Sequence, residues 1–121
     1  MVFSKTLLEA QKEVEEFLVE RDWLPKDREG RYYTLAHMTE ELGEVARCVT
    51  LIESRRGDKD KERYQEDLRM ELGDLLYHIF KISLAYKIDV ADAFAFIMEK
   101  NKKKYPVETY AKKGQHDGDQ P

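Results

Sequence analysis

The sequence predicts an all-α fold of four helices, and three features of the chain support this. Apolar residues recur every three or four positions, which is helical spacing, and no segment alternates polar and apolar residues long enough to predict a strand. Proline, glycine and charged residues separate the apolar segments. The 121 residues suffice for one compact domain with a modest core. We expect residues 1–106 to form this domain and residues 107–121 to form a polar, flexible tail.

The first helix is predicted over about residues 4–21, with apolar residues at helical spacing. Thr6 and Glu9 match the Thr-x-x-Glu capping box, which places the start up to one turn later than Ser4. The segment from Asp22 to Gly30 contains Pro25 and several charges, and it predicts a loop. The apolar residues of this first helix are Leu7, Leu8, Val14, Phe17 and Leu18.

The second helix is predicted over about residues 32–56. Its apolar residues are separated by alternating steps of three and four, which predicts a buried seam. Gly57 follows two arginines, a composition typical of a helix end. The seam consists of Leu35, Met38, Leu42, Val45, Val49 and Ile52.

The third helix is predicted over about residues 62–86, and the fourth from Asp89, as N-cap, to about Lys103. The third helix has an apolar face so wide that we expect burial on more than one side, the second side by another subunit. Pro106 is expected to end the regular structure. The wide face consists of Leu68, Leu72, Leu75, Leu76, Ile79, Phe80 and Ile82.

Composition excludes several classes of protein. The net charge of −4 argues against a protein that binds nucleic-acid polymers. No apolar run is long enough to span a membrane, and no hydrophobic signal segment follows the N-terminus. Cys48 is the single cysteine, so no internal disulfide can form, and we interpret it as a packing residue. We therefore expect a cytoplasmic protein.

Paired acids on the second and third helices are the most informative feature of the sequence. Glu41-Leu42-Gly43-Glu44 and Glu71-Leu72-Gly73-Asp74 each place two carboxylates three residues apart, on one helix face. If the two helices pack antiparallel, the pairs meet beside the seam. Crowded like charges need a counter-ion, and Mg²⁺ prefers carboxylate oxygen. Gly43 and Gly73 lie between the acids and predict a close approach to the backbone by a helix or ligand.

These residues resemble the signature of the MazG-like superfamily of all-α nucleoside triphosphate pyrophosphohydrolases. The family pattern E-E-x-x-E, a spacer, then E-x-x-D is matched by Glu40-Glu41-x-x-Glu44 and Glu71-x-x-Asp74. The resemblance implies that Glu41, Glu44, Glu71 and Asp74 ligate Mg²⁺, or Mn²⁺ in its place, and that Glu40 either supports these ligands from behind or helps to orient the attacking water. It also implies a four-helix MazG-like bundle completed by homo-oligomerisation, as a homodimer or homotetramer.

Two further segments extend the resemblance. Residues 99–106 look like the basic segment that closes the fourth helix in the family, which implies that Lys100, Asn101, Lys104 and the adjoining Tyr105 hold the sugar or phosphates of the substrate. The Arg21-Asp22-Trp23 stretch is similar to one in the dCTP pyrophosphatase branch, where the tryptophan lies near the base.

Two histidines enter the predicted site from the sequence pattern. His37 and His78 face inward by periodicity, as substrate contacts or as packing residues. His78 stands where the dCTP pyrophosphatase branch has a tyrosine, with Tyr77 beside it. This difference leaves the preferred base open.

The resemblance implies Mg²⁺-dependent hydrolysis of a (deoxy)nucleoside triphosphate to the monophosphate and pyrophosphate. The expected physiological role is nucleotide-pool house-cleaning. Two alternatives stay open: a phosphoribosyl-ATP pyrophosphohydrolase, which shares the acidic pattern, and a non-catalytic helical module that binds nucleotides or dimerises. A di-iron carboxylate bundle requires Glu-x-x-His pairs, and the sequence contains none.

Overall fold

The computed structural model describes residues 4–54 and 57–111, and this part of the chain is helical without a strand. The predicted all-α class is therefore confirmed. The chain divides after Val90 into two compact units, which we describe separately. None of the described helices is long and apolar enough to cross a membrane. The helices are α1 (Leu7–Glu20), α2 (Arg28–Glu53), α3 (Gly57–Ala85), α4 (Val90–Lys104) and α5 (Val107–Tyr110).

Side-chain caps set the starts of α1 and α2. Thr6 Oγ1 accepts the Glu9 N–H at 3.1 Å and Glu9 Oε1 accepts the Thr6 N–H at 3.0 Å, so the predicted capping box is confirmed. Helix α2 begins four residues before the predicted position, because the carboxylate of Asp27 accepts the Gly30 N–H at 2.8 Å and draws that glycine into the first turn. The prediction that the loop extends to Gly30 is wrong for this reason.

The remaining boundaries agree in part with the sequence analysis. Asp60 interrupts α3 with non-helical backbone (φ −118°, ψ 22°), so regular helix resumes close to the predicted start at residue 62. Helix α2 ends at Glu53, and the two arginines expected at its end lie outside the described residues. Pro106 does not end the regular structure, because it precedes the single turn of α5. Residues 112–121 of the predicted tail lie outside the described part of the chain.

Helices α2 and α3 pack antiparallel, and their register brings the paired acids together. The ring of His37 stacks on that of His78, with centroids 5.9 Å apart. One turn further along α2, Glu41 reaches Glu71 and Asp74, which precede His78 on α3. Later positions on α2 therefore meet earlier positions on α3, as the sequence analysis requires for a shared site.

The contact line of α2 differs from the predicted seam. The buried residues are Thr34 and Cys48, with half-buried Glu41 between them, whereas Leu42 and Val49 of the predicted seam are 57% and 45% exposed. The prediction that the whole seam is buried within one chain is thus wrong. The line that faces α3 runs one residue before the apolar one, so it carries the acid inward and turns the leucines outward.

Helix α1 completes the first unit by packing on the C-terminal half of α3. Leu18 is fully buried, and the ring of Phe17 meets Tyr77 edge to face at 5.9 Å. Buried Gln11 Nε2 donates to Ser83 Oγ at 3.1 Å and to the Ile88 carbonyl at 2.7 Å, while Gln11 Oε1 accepts the Val90 N–H at 3.1 Å. One side chain thus satisfies three polar groups and ties α1 to the segment after α3.

The glycines between the paired acids lie in open surroundings. A Cβ atom built on Gly43 or Gly73 would meet nothing within 4 Å apart from its own helix backbone and chain neighbours. The close approach that the sequence predicts at these glycines is therefore absent within the described residues of one chain. Both glycines lie on the outer sides of their helices, away from the α2–α3 contact.

Candidate metal centre and nucleotide site

Three acids from α2 and α3 converge on one point. Glu41, Glu71 and Asp74 each offer a carboxylate oxygen, and these oxygens lie within 4.8 Å of one another. Glu41 Oε2 is buried and has no hydrogen-bond partner among the described residues. Burial, followed by the neighbouring carboxyls of Glu71 and Asp74, raises the pKa of Glu41 to about 7. A buried, unpartnered oxygen ringed by acids is suited to a divalent cation.

The fourth predicted ligand lies one turn further along α2. Glu44 is outside the group of three, and its Oε2 accepts from Arg47 Nε at 3.2 Å. Glu40 is largely exposed, and its carboxylate lies 3.8 Å from His37 Nδ1. The structure thus brings together three of the four predicted ligands and leaves the predicted water-orienting acid at the rim.

The two histidines extend the site along the helix pair. His78 is 8% exposed, and its Nδ1 lies 2.8 Å from the backbone carbonyl of Asp74. When Nδ1 carries the proton it donates to this carbonyl, and Nε2 is then the acceptor of the ring. The carbonyl therefore orients the His78 ring, on which His37 stacks.

A continuous run of six rings includes the two histidines. Tyr33 meets His37 edge to face at 4.5 Å, and Tyr77 meets both His78 at 5.0 Å and Phe17 at 5.9 Å. Phe17 in turn contacts Trp23 at 5.9 Å. These rings form an aromatic wall beside the acids. In order they are Trp23, Phe17, Tyr77, His78, His37 and Tyr33.

Local backbone geometry places Trp23 at the end of this wall. Asp22 adopts left-handed backbone (φ 55°), which aspartate tolerates better than most residues. This conformation ends α1 and lets the Trp23 N–H donate to the Leu18 carbonyl at 2.8 Å. The indole consequently turns back toward Phe17, so the loop predicted between the first two helices delivers its one aromatic ring to the site.

A cavity of about 440 Å³ opens beside Trp23. The α1–α2 loop forms one wall, and Tyr33, Thr34 and Lys81 form the other. Lys81 lies two turns beyond Asp74 on α3, a helical rise of about 10 Å. We call this space the Trp23 cavity.

The predicted residues on the fourth helix belong to the second unit. Lys100, Asn101 and Lys104 lie on α4, and Tyr105 follows it. The Asn101 carbonyl accepts the Tyr105 N–H at 2.8 Å, and Lys104 Nζ lies 5.4 Å from the centre of the Tyr105 ring. These contacts are internal to the second unit, so the contribution of its four residues to the acidic site stays a prediction.

Tyr33 and Lys81 were not predicted as site residues. Tyr33 lies four residues before His37, and Lys81 lies three residues after His78, so each is one helical turn from a predicted histidine. Helical periodicity, extended by one turn beyond each histidine, therefore predicts both residues.

Comparison with known proteins is consistent with this geometry. The chain is similar to the uncharacterized protein YpjD of Bacillus subtilis (strain 168), with 33% identity over 101 residues that cover 79% of this chain and 83% of YpjD. No solved structure gives a significant match. Residues 30–108, which include both acidic pairs, match the MazG nucleotide pyrophosphohydrolase domain. The chain therefore belongs to the MazG nucleotide pyrophosphohydrolase family.

Proposed function

We propose that this protein hydrolyses a nucleoside triphosphate to the monophosphate and pyrophosphate, using a divalent cation, and that it does so in nucleotide-pool house-cleaning in the cytoplasm. The observation that carries the proposal is the buried, unpartnered Oε2 of Glu41 beside Glu71 and Asp74. An acid in this position is unfavourable in the absence of a cation, so a structural role alone does not account for it.

The donor set fits Mg²⁺, with Mn²⁺ able to replace it. All donors are carboxylate oxygens, the ligands that both ions prefer. Glu41, Glu71 and Asp74 would hold the ion, and Glu44 would join them by exchanging its contact with Arg47. When bound, the ion neutralises phosphate charge and polarises the phosphoryl group.

The residues around the acids have assigned parts in the proposed reaction. A water oxygen attacks the α-phosphorus, the bond to the α–β bridging oxygen breaks, and pyrophosphate leaves with that oxygen. Glu40, at the rim, orients the water and accepts its proton. His37 and His78 line the path from the acids to the Trp23 cavity, where the base lies. Lys100, Asn101, Lys104 and Tyr105 hold the sugar or phosphates, as the family resemblance implies.

A second copy of the chain is proposed to cover the apolar side of the α2–α3 pair. Because the two helices are antiparallel, residues one position past the contact line on each helix turn to the same side, opposite the acids. Burying each of these side chains against a second copy would contribute about 1 kcal/mol of stabilisation. The exposed residues are Leu35, Leu42, Val49, Leu72, Leu76 and Ile79.

The assembly is tested by replacing a central residue of this apolar side. Leu72, half exposed, follows Glu71 on α3 as Leu42 follows Glu41 on α2. We expect Leu72→Glu to convert a dimer or tetramer into a monomer in analytical ultracentrifugation. Met70→Glu is the matched control, because Met70 is at least as exposed but lies on the other side of α3. A wild-type monomer, or an assembly unaffected by Leu72→Glu, would contradict the proposal.

The reaction is tested by turnover of canonical and modified (d)NTPs and phosphoribosyl-ATP in Mg²⁺, with products resolved by chromatography. Monophosphate and pyrophosphate, lost in Glu41→Gln, would support the proposal. Diphosphate and phosphate would place the attack on another phosphorus. Turnover of phosphoribosyl-ATP alone would make the protein a biosynthetic enzyme, and no turnover of any substrate would favour the non-catalytic module.

A further inference from the structure

Lys81 is a charged residue that lines the Trp23 cavity, and it has no role in the proposed hydrolysis. Its side chain is half-buried, and burial lowers its pKa. No carboxylate of the described residues forms an ion pair with it, although it lines a cavity that also contains two aspartates. An ammonium group that has lost part of its hydration and has no ionic partner is suited to an oxygen atom of a ligand.

Several polar side chains of the same cavity have partners within the chain. Asp22 forms an ion pair with Lys26, and the carboxylate of Asp27 accepts the Gly30 N–H at 2.8 Å. Thr34 Oγ1 donates to the Gly30 carbonyl at 2.9 Å. The ammonium of Lys81 and the indole N–H of Trp23 form no hydrogen bond or ion pair with the described residues, so both donors can meet an acceptor atom of a ligand.

The lining indicates which part of a nucleotide lies here. Trp23 and Tyr33 offer flat aromatic surfaces, and Leu24 and Pro25 add apolar ones, so the cavity is suited to a planar ring rather than to a phosphate. The acids that would hold phosphates through a cation lie about 10 Å away along α3. Lys81 is thus placed at the base end of the proposed substrate.

We propose that Lys81 is a specificity-determining residue, which donates a hydrogen bond to an exocyclic carbonyl oxygen of the base. It thereby selects nucleotides whose base has such a carbonyl over those whose base has none. The bases with a carbonyl are uracil, thymine, cytosine, guanine and hypoxanthine. This inference rests on the proposed function for its substrate, a nucleoside triphosphate. A hydrogen bond to a charged donor in a partly desolvated site contributes about ten- to a hundred-fold in affinity.

The test measures binding, so that it does not depend on turnover. Trp23 is the single tryptophan of the chain, and its fluorescence reports a base that enters the cavity. The probes are triphosphates whose α–β bridge is a methylene group, in Mg²⁺, with uracil, hypoxanthine or unsubstituted purine as the base. Hypoxanthine and purine differ by the carbonyl, and inorganic tripolyphosphate, followed by calorimetry, isolates the phosphate contribution.

We expect the wild type to bind the uracil and hypoxanthine probes at least about ten-fold more tightly than the purine probe. Lys81→Met should remove this preference, and Lys81→Arg should retain most of it because it keeps a charged donor. Lys12→Met is the matched control, since Lys12 is an exposed lysine of α1 that does not line the Trp23 cavity. It should change each affinity by less than about three-fold.

Three outcomes would overturn the inference. Equal binding of all three probes by the wild type would remove the carbonyl preference. A loss of tripolyphosphate affinity in Lys81→Met equal to the loss for the probes would assign Lys81 to the phosphates. Unchanged Trp23 fluorescence with every probe would place the base elsewhere. Carbonyl-dependent binding together with no turnover of any nucleoside triphosphate of the panel would support the inference and refute the proposed hydrolysis.

Discussion

Replacing Glu41 by glutamine should change how stability depends on pH. In the metal-free protein the pKa of Glu41 is about 7, against an ordinary value of 4.5. Below pH 4.5 the carboxyl is protonated in both the folded and unfolded states and has no effect. Between pH 4.5 and 7 the unfolded chain releases the proton while the folded chain retains it, so the free energy of unfolding falls as the pH rises.

The size of this loss follows from the difference between the two pKa values. At 1.36 kcal/mol for each factor of ten in the acid dissociation constant, the loss is at most about 3 kcal/mol. Glu41 is only half-buried and the Asp74 side chain is 50% exposed, so solvent screening reduces the loss to about 1–2 kcal/mol. Glu41→Gln removes the loss, because the amide does not ionise. The free energy of unfolding of the variant, relative to that of the wild type, should therefore rise by about 1–2 kcal/mol from pH 5 to pH 8.

The assay is urea denaturation in a chelator at pH 5 and pH 8, at one protein concentration, repeated with Mg²⁺. Mg²⁺ should stabilise the wild type at pH 8 and should have little effect on Glu41→Gln, since the ion binds the charged carboxylate. Glu62→Gln, which removes an exposed carboxylate from α3, is the control. Identical pH dependence in wild type and Glu41→Gln, or equal stabilisation of both by Mg²⁺, would refute the reasoning.

Three further predictions concern stability. Gln11→Met should lower the free energy of unfolding by about 2–3 kcal/mol in urea, because it leaves the Ile88 carbonyl and the Val90 N–H without the partner that Gln11 supplies; a loss below 0.5 kcal/mol, roughly the effect of a surface substitution, would contradict this. Gly43→Ala should raise it by about 0.5–1 kcal/mol, since a Cβ has open space there, whereas destabilisation would reveal a close neighbour in the assembly. Thr6→Ala should cost about 1 kcal/mol by removing the capping box, and an unchanged denaturation midpoint would argue against that cap.

The sequence predicted the helices and the acids well because both depend on local spacing. The capping box at Thr6 and the acids three residues apart are properties of a single helix, and the structure confirms that Glu41, Glu71 and Asp74 converge. The α2 contact line was predicted wrongly because periodicity identifies the apolar stripe but not what covers it. Leu42 belongs to that stripe and is exposed in one chain, while Glu41 beside it is turned inward.

The Trp23 cavity could not be predicted from spacing, since it depends on how a loop returns to the helices. The left-handed backbone of Asp22 and the N-cap of Asp27 together fold the loop against Tyr33 and Lys81. Trp23 was expected near a base only through the family resemblance. Its neighbours in space come from three different segments, and that proximity has no signature in a single sequence.

The two ends of the site are built from parts of the chain that tolerate change differently. The acids lie on two long helices, where a shift of one position would turn Glu41 out of the contact with α3. Much of the cavity wall is the loop from Asp22 to Asp27, and between these two residues, which set the helix ends, a surface loop tolerates changes of length and composition. If the proposed function holds, replacing the segment between Asp22 and Asp27 would change substrate preference while Glu41, Glu71 and Asp74 stay in place.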